Sequence, residues 1–213
     1  MSFLGSFQYV CSQAPLSLCP LVNTAIEPQC YSRNIEVQNT IVFEPALLVV
    51  LVVFVAMLLI MISHVRSKYT AVGRSEMLFW LYMLVATTVL EFFTVSALIP
   101  MSTSAYLYAV AIYISLSVAS FWALFLNGLV PFQFVEDGTA ASLWTLRVST
   151  IVVFLVSLLL SVGAFTNLFG VTALWVIYFV FPLLLVIAYF ISQFILLRSI
   201  GNLFNNSRRY LGN

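Results

Sequence analysis

Apolar residues in this chain gather into long unbroken stretches, and polar residues fall in the gaps between them. Pro45 to Ser63 is uncharged, lies between Glu44 and His64, and is dominated by Val and Leu. Met77 to Ile99 forms a second stretch, interrupted by Glu91 and closed by Pro100. A third runs from Ala105 to Val130. From Val148 to Leu197 there is no charge at all. As one helix that run would measure roughly 75 Å, against a hydrocarbon core of about 30 Å, so it must fold back. The break is predicted between Gly163 and Gly170, where a glycine stands at each end with turn formers between. Span four then covers Ser142 to Val162 and span five Val171 to Leu197. Pro182 interrupts the fifth, but even a split helix is too short there for two crossings. Open strands cannot cross a bilayer, and the stretches are too long for barrel strands. The pattern therefore predicts an all-α polytopic bundle of about five spans.

Composition narrows the functions. The chain has 213 residues, 63% of them hydrophobic and 7% charged, where soluble domains run about 45–50% and about 25%. A soluble globule and a disordered chain are both excluded on these figures. The net charge of +1 does not fit a nucleic-acid partner; the bilayer is the expected medium.

The placement of the charges sets the orientation. His64 to Arg74 carries cations and no acid, and the tail after span five carries Arg198, Arg208 and Arg209. Met101 to Ser104 and Ala164 to Phe169 carry none. These fall on one side only if the N-terminus is lumenal and the C-terminus cytosolic. Residues 1–44 then form a lumenal cysteine-containing segment, 45–198 the transmembrane bundle, and 199–213 a short basic cytosolic tail. Residues 1–20 show neither a basic n-region nor an apolar core, so span one is expected to serve as an uncleaved signal. Asn205-Asn-Ser207 fits a glycosylation sequon but falls in the cytosolic tail.

Candidate chemistry is sparse. Cys11, Cys19 and Cys30 all lie in the lumenal segment, where disulfides persist. A structural disulfide is expected, with the pairing open and one cysteine left over. No metal site is expected, because there is no CxxC and the only histidine, His64, lies on the other side. Glu136 and Asp137 read as a solvated turn, with Thr139 or Ser142 capping the next helix. Glu91 is the one ionisable residue well inside a span, and such acids are functional candidates by default. Its alternative is a carboxyl bonded to Thr or Ser on a neighbouring helix. Ala111, Ser115 and Ala119 share one helical face, and Ser157 and Ser161 another; such small residues allow close helix approach in lipid. Asn127 is a further interhelical candidate. Glu91, Asn127 and Ser115 are thus the candidate contacts, for packing or for a client. Trp80, Tyr82 and Trp144 suit an interfacial belt. Nucleotide loops and nucleophile elbows are absent, so no catalytic residue, cofactor or enzyme activity is expected.

The polar blocks together carry a resemblance. Cys11-Ser-Gln-Ala-Pro-Leu-Ser-Leu-Cys19, Glu27-Pro-Gln-Cys-Tyr-Ser-Arg-Asn34 and Asn39-Thr-Ile-Val-Phe43 resemble the lumenal start of the fungal chitin synthase export chaperones. Arg66-Ser-Lys-Tyr-Thr-Ala-Val-Gly-Arg74 is similar to that family's first cytosolic loop, and Glu136-Asp-Gly-Thr139 with Arg147 to its second. The blocks keep the family's order over residues 1 to 150; beyond span four the likeness is only in hydropathy. Members of that family are longer, so this chain reads as a short member or a truncated form. The resemblance implies a multi-pass, non-enzymatic chaperone of the endoplasmic reticulum membrane. Its client would be a chitin synthase exported toward the cell surface in support of cell-wall chitin synthesis. Export coat machinery is a further implied partner. A small transporter or channel working through Glu91 is the alternative function.

Overall fold

The computed structural model describes residues 7–14, 16–22, 35–37, 40–42, 44–68, 73–96, 98–101, 103–132 and 139–211. Among the described residues, five helices are long and apolar enough to cross a membrane. They are α2 (Pro45–Ser67), α3 (Arg74–Val95), α4 (Ser104–Leu129), α5 (Ala140–Phe165), and a last span built from α6 (Val171–Trp175), a π turn (Val176–Val180) and α7 (Phe181–Leu211). Before them come a short helix α1 (Gln8–Gln13) and a small antiparallel hairpin, β1 (Ile35–Val37) with β2 (Thr40–Val42), in which Ile35 faces Val42. The sequence pattern had not shown this hairpin.

Local chemistry places the ends. Pro45 opens α2, where its missing N–H is no loss, and His64 and Arg66 sit in the last turn, where cations suit the helix dipole. Gly73 adopts a left-handed conformation just before α3. The Thr139 hydroxyl accepts from the Ser142 N–H at 3.3 Å and caps α5. At the far end of α5, the Gly163 carbonyl accepts from the N–H groups of Leu168 and Phe169, at 2.8 and 3.0 Å. The break therefore falls inside the predicted Gly163 to Gly170 segment, but Gly163 itself belongs to the helix. A β-carbon there would stand 2.2 Å from the Phe169 ring.

Pro182 does not split the last span. Proline has no N–H to give the carbonyl four residues back, and its ring crowds that carbonyl. That carbonyl belongs to Tyr178, and the helix answers with the π turn and then continues as α7.

The core is centred on α4. Half of its spanning window is buried inside the bundle, against 17% of that of α2. Around it stand α3, α5 and α7, while α2 rests on α3. Ala111, Ser115, Ala119 and Ala123 on α4 are all 0% exposed, so the small-residue face is a helix contact. Ser157 and Ser161 on α5 are buried too. Leu58 and Ile62 of α2 meet Leu81 of α3 along a narrow seam. Much of the rest of α2, including Val49, Ile60 and Leu59, is exposed, as expected of a surface that meets lipid tails.

Candidate functional site

Thr87, Glu91 and Thr94 recur at helical spacing on α3, on the side turned to α4. The hydroxyls of Thr87 and Ser120 lie 3.3 Å apart across that contact. About a turn further along α3, the Glu91 carboxyl interacts with the Tyr113 hydroxyl of α4. Tyr113 interacts in turn with Tyr178 from the π turn. Three separate elements of the bundle thus converge on one polar cluster. Tyr113 is 8% exposed and Glu91 is half-buried, so the carboxyl keeps one side open. In hydrocarbon every polar group needs a partner, and the two hydroxyls supply partners without adding a charge. Where a Thr or Ser partner was expected for Glu91, the Tyr113 hydroxyl of α4 stands instead. The Thr94 hydroxyl instead bonds the Glu91 backbone carbonyl at 3.0 Å.

Ser115 and Asn127 lie outside this cluster. The Ser115 hydroxyl donates to the Ala111 carbonyl at 2.6 Å, and the Asn127 amide donates to the Ala123 carbonyl at 2.9 Å, each within α4. A polar bridge between helices occurs instead at Gly128, whose carbonyl accepts from the Gln193 amide at 3.2 Å. A β-carbon on Gly128 would stand 2.6 Å from the Tyr189 ring, so this point of the α4–α7 contact suits a residue without a side chain.

Above the cluster sits an N-terminal clasp. Cys11 of α1 is bonded to Cys19, with Cα atoms 5.9 Å apart; Cys30 falls outside the described residues. The clasp is no loose appendage. Phe7, Cys11 and Leu18 are each 1% exposed, and they share one apolar cluster with Tyr106, Val110 and Tyr113 of α4 and Leu174 of α6. The Tyr106 hydroxyl donates to the Ser17 carbonyl at 2.7 Å. Phe7 meets Phe179 at 5.8 Å between ring centroids, and Phe179 meets Tyr178 edge-on at 5.0 Å. Clasp and polar cluster are therefore continuous in packing. Tyr106→Phe keeps the ring and strands the Ser17 carbonyl. It is expected to cost about 1 kcal/mol, read as a lowered thermal midpoint in mild detergent with unchanged oligomeric state.

At the other end of the bundle, Glu76 is 0% exposed in the first turn of α3. The Ser142 hydroxyl donates to its Oε1 at 3.0 Å and so ties the starts of α3 and α5 together. Sequence reasoning missed this residue by opening the span at Met77. The usable signal was an acid in a helix first turn, where the dipole favours it. Glu136 and Asp137 lie outside the described residues. Among the described residues, no group of His, Cys, Asp and Glu is arranged to hold a metal ion.

Comparison with known proteins adds to this geometry. A family model described as chitin synthase export chaperone matches residues 3–206. A chitin synthase export chaperone of Cryptococcus neoformans is 42% identical over 203 residues, covering 90% of this chain and 55% of the relative. One from Gibberella zeae is 41% identical over 180 residues, covering 81% and 54%. One from Aspergillus fumigatus is 38% identical over 205 residues, covering 90% and 62%. The chain thus spans little more than half the length of the relatives it matches. No solved structure matches it.

Proposed function

We propose, from the premise that this chain belongs to the chitin synthase export chaperone family, that it binds a chitin synthase in the endoplasmic reticulum membrane and makes it competent for export toward the cell surface. The observation that carries this reading is the family match across residues 3–206. A chaperone of this kind is a binding protein rather than an enzyme. In the orientation supported by the charge asymmetry, the clasp is lumenal and the arginine-bearing tail is cytosolic, within reach of export coat machinery.

The bundle suggests how a client would be held. Lipid tails are as apolar as leucine, so the exposed Val and Leu faces alone give helices no reason to associate. Selectivity must come from close-approach faces and from polar groups that reach the surface. Glu91 is such a group: half-buried and met from within by Tyr113, which Tyr178 backs in turn. An unassembled multi-span synthase presents polar transmembrane surfaces that line its polysaccharide path, and a small bundle with a few fixed polar groups covers such surfaces until assembly.

The test is purification of the tagged protein in mild detergent, together with deletion of its gene. A chitin synthase is expected to co-purify, and the deletion strain is expected to hold that synthase in the endoplasmic reticulum and to lose wall chitin. Normal surface delivery of every chitin synthase in the deletion strain would sink the proposal.

A further inference from the structure

The clasp poses a problem of order. Cys11 is 1% exposed and Cys19 9%, and their neighbours Phe7 and Leu18 are 1% exposed against α4 and the last span. Disulfides form by attack of a thiolate on another disulfide, which requires contact between the sulfurs. Docked as it is here, the clasp denies an oxidant that contact. The bond must therefore form while the clasp is away from the bundle. The converse also holds. Free of the bundle, the described residues between 7 and 22 hold a six-residue helix and a three-residue turn, far below the length at which a helix persists in water. Joining Cys11 to Cys19, eight positions apart, removes much of the freedom that docking would otherwise have to suppress.

We propose that oxidation of Cys11 and Cys19 gates the docking of the N-terminal clasp, so that the bundle is completed only after its first lumenal residues have met an oxidising compartment. The balance is simple. The two thiols lose two protons and two electrons and form the S–S bond; a lumenal dithiol–disulfide oxidant accepts them by exchange and leaves as a dithiol. Docking then seals the bond. The Tyr106 hydroxyl takes the Ser17 carbonyl, and Phe7 closes on Phe179 beside Tyr178. A reduced chain would leave Tyr106, Val110 and Leu174 uncovered. The step rests on the lumenal orientation proposed above and goes beyond client binding, because it governs the chaperone's own maturation.

The experiment uses the full chain in a Cys30→Ser background, synthesised into microsomes, with maleimide-polyethylene-glycol counting free thiols and proteinase K probing residues 7–22. Dithiothreitol present during synthesis should leave both thiols taggable and speed cleavage of the clasp at least tenfold. The same reagent added after maturation should leave the bond and the protection intact until denaturant is added. Cys11→Ser with Cys19→Ser should match the reduced form in protease sensitivity while the α4 and α5 fragments stay protected. Three results would overturn the gate: rapid reduction of the mature native protein, full clasp protection in the double-serine variant, or thiols taggable at every stage. Synthase delivery is not read in this assay, so its failure is distinguishable from failure of the chaperone reading.

Discussion

Gly128→Leu is expected to lower the thermal midpoint of the detergent-solubilised protein by about 10 °C, the consequence of roughly 3 kcal/mol of overpacking. The site leaves little room for relief. Even a β-carbon would stand 2.6 and 2.9 Å from two atoms of the Tyr189 ring and 3.2 Å from the Gln193 amide. A leucine must push α7 away from α4 or drive Tyr189 from its position, and either movement breaks the Gln193 bond to the Gly128 carbonyl. Gly128→Ala should fall between wild type and leucine. Combining Gly128→Ala with Tyr189→Ala should recover part of the loss, because the clash partner is gone. Fluorescence-detected size exclusion after stepwise heating reads all of these. A leucine variant as stable as wild type would show that α4 and α7 do not meet at this residue.

The second large effect is expected at Glu91. Glu91→Lys should reduce the recovered chitin synthase at least tenfold, while Glu91→Gln should retain most of it. Lysine places a cation where the Tyr113 hydroxyl meets an acceptor, and a charge deep in the hydrocarbon costs about 2.5–3.5 kcal/mol on insertion scales. Glutamine preserves an acceptor of similar shape. Bundle stability is a separate readout, since interhelical hydrogen bonds in membranes average about 0.6 kcal/mol. A double-mutant cycle of Glu91→Gln with Tyr113→Phe should therefore show a coupling of that size in thermal stability. Equal client recovery with lysine, glutamine and glutamate would remove Glu91 from the binding surface and reduce it to a packing group.

Much of this architecture was legible in the sequence because water and lipid sort residues coarsely. The uncharged stretch from Pro45 to Ser63 became the body of α2, and the fold-back came between Gly163 and Gly170, where glycine and turn formers had marked it. Coarse sorting also explains what stayed hidden. Glu76 looked like a loop acid because its charge fixed the predicted span boundary, yet it is buried and bonded to a serine 66 positions away. Tyr113 and Tyr178 looked like further aromatic bulk in apolar runs; only their meeting with Glu91 gives them a polar role. Three cysteines permitted three pairings, and composition has no means of choosing. The choice of Cys11 with Cys19 comes with Phe7 and Leu18 burying themselves on α4, a contact nearly a hundred residues away along the chain.

The π turn at Val176–Val180 has a bearing on how substitutions and deletions should be read along the last span. An α-helix advances about 100° per residue, and a π turn accommodates one residue more than an α turn over the same stretch. The turn therefore acts as a phase adjuster between two packing stripes. On one side Leu174 is held in the cluster with Val110 and Ala164; on the other, Tyr189 and Gln193 meet Gly128. Deleting a single residue within Val176–Val180 would remove the extra residue and leave both stripes aligned, but Pro182 would then crowd a helix carbonyl with no π turn to relieve it. Winding Val176–Val180 into α geometry with every residue kept would instead rotate everything beyond by about 100° and carry Tyr189 off its groove. The local irregularity is what keeps two regular stretches of helix in register with one neighbour.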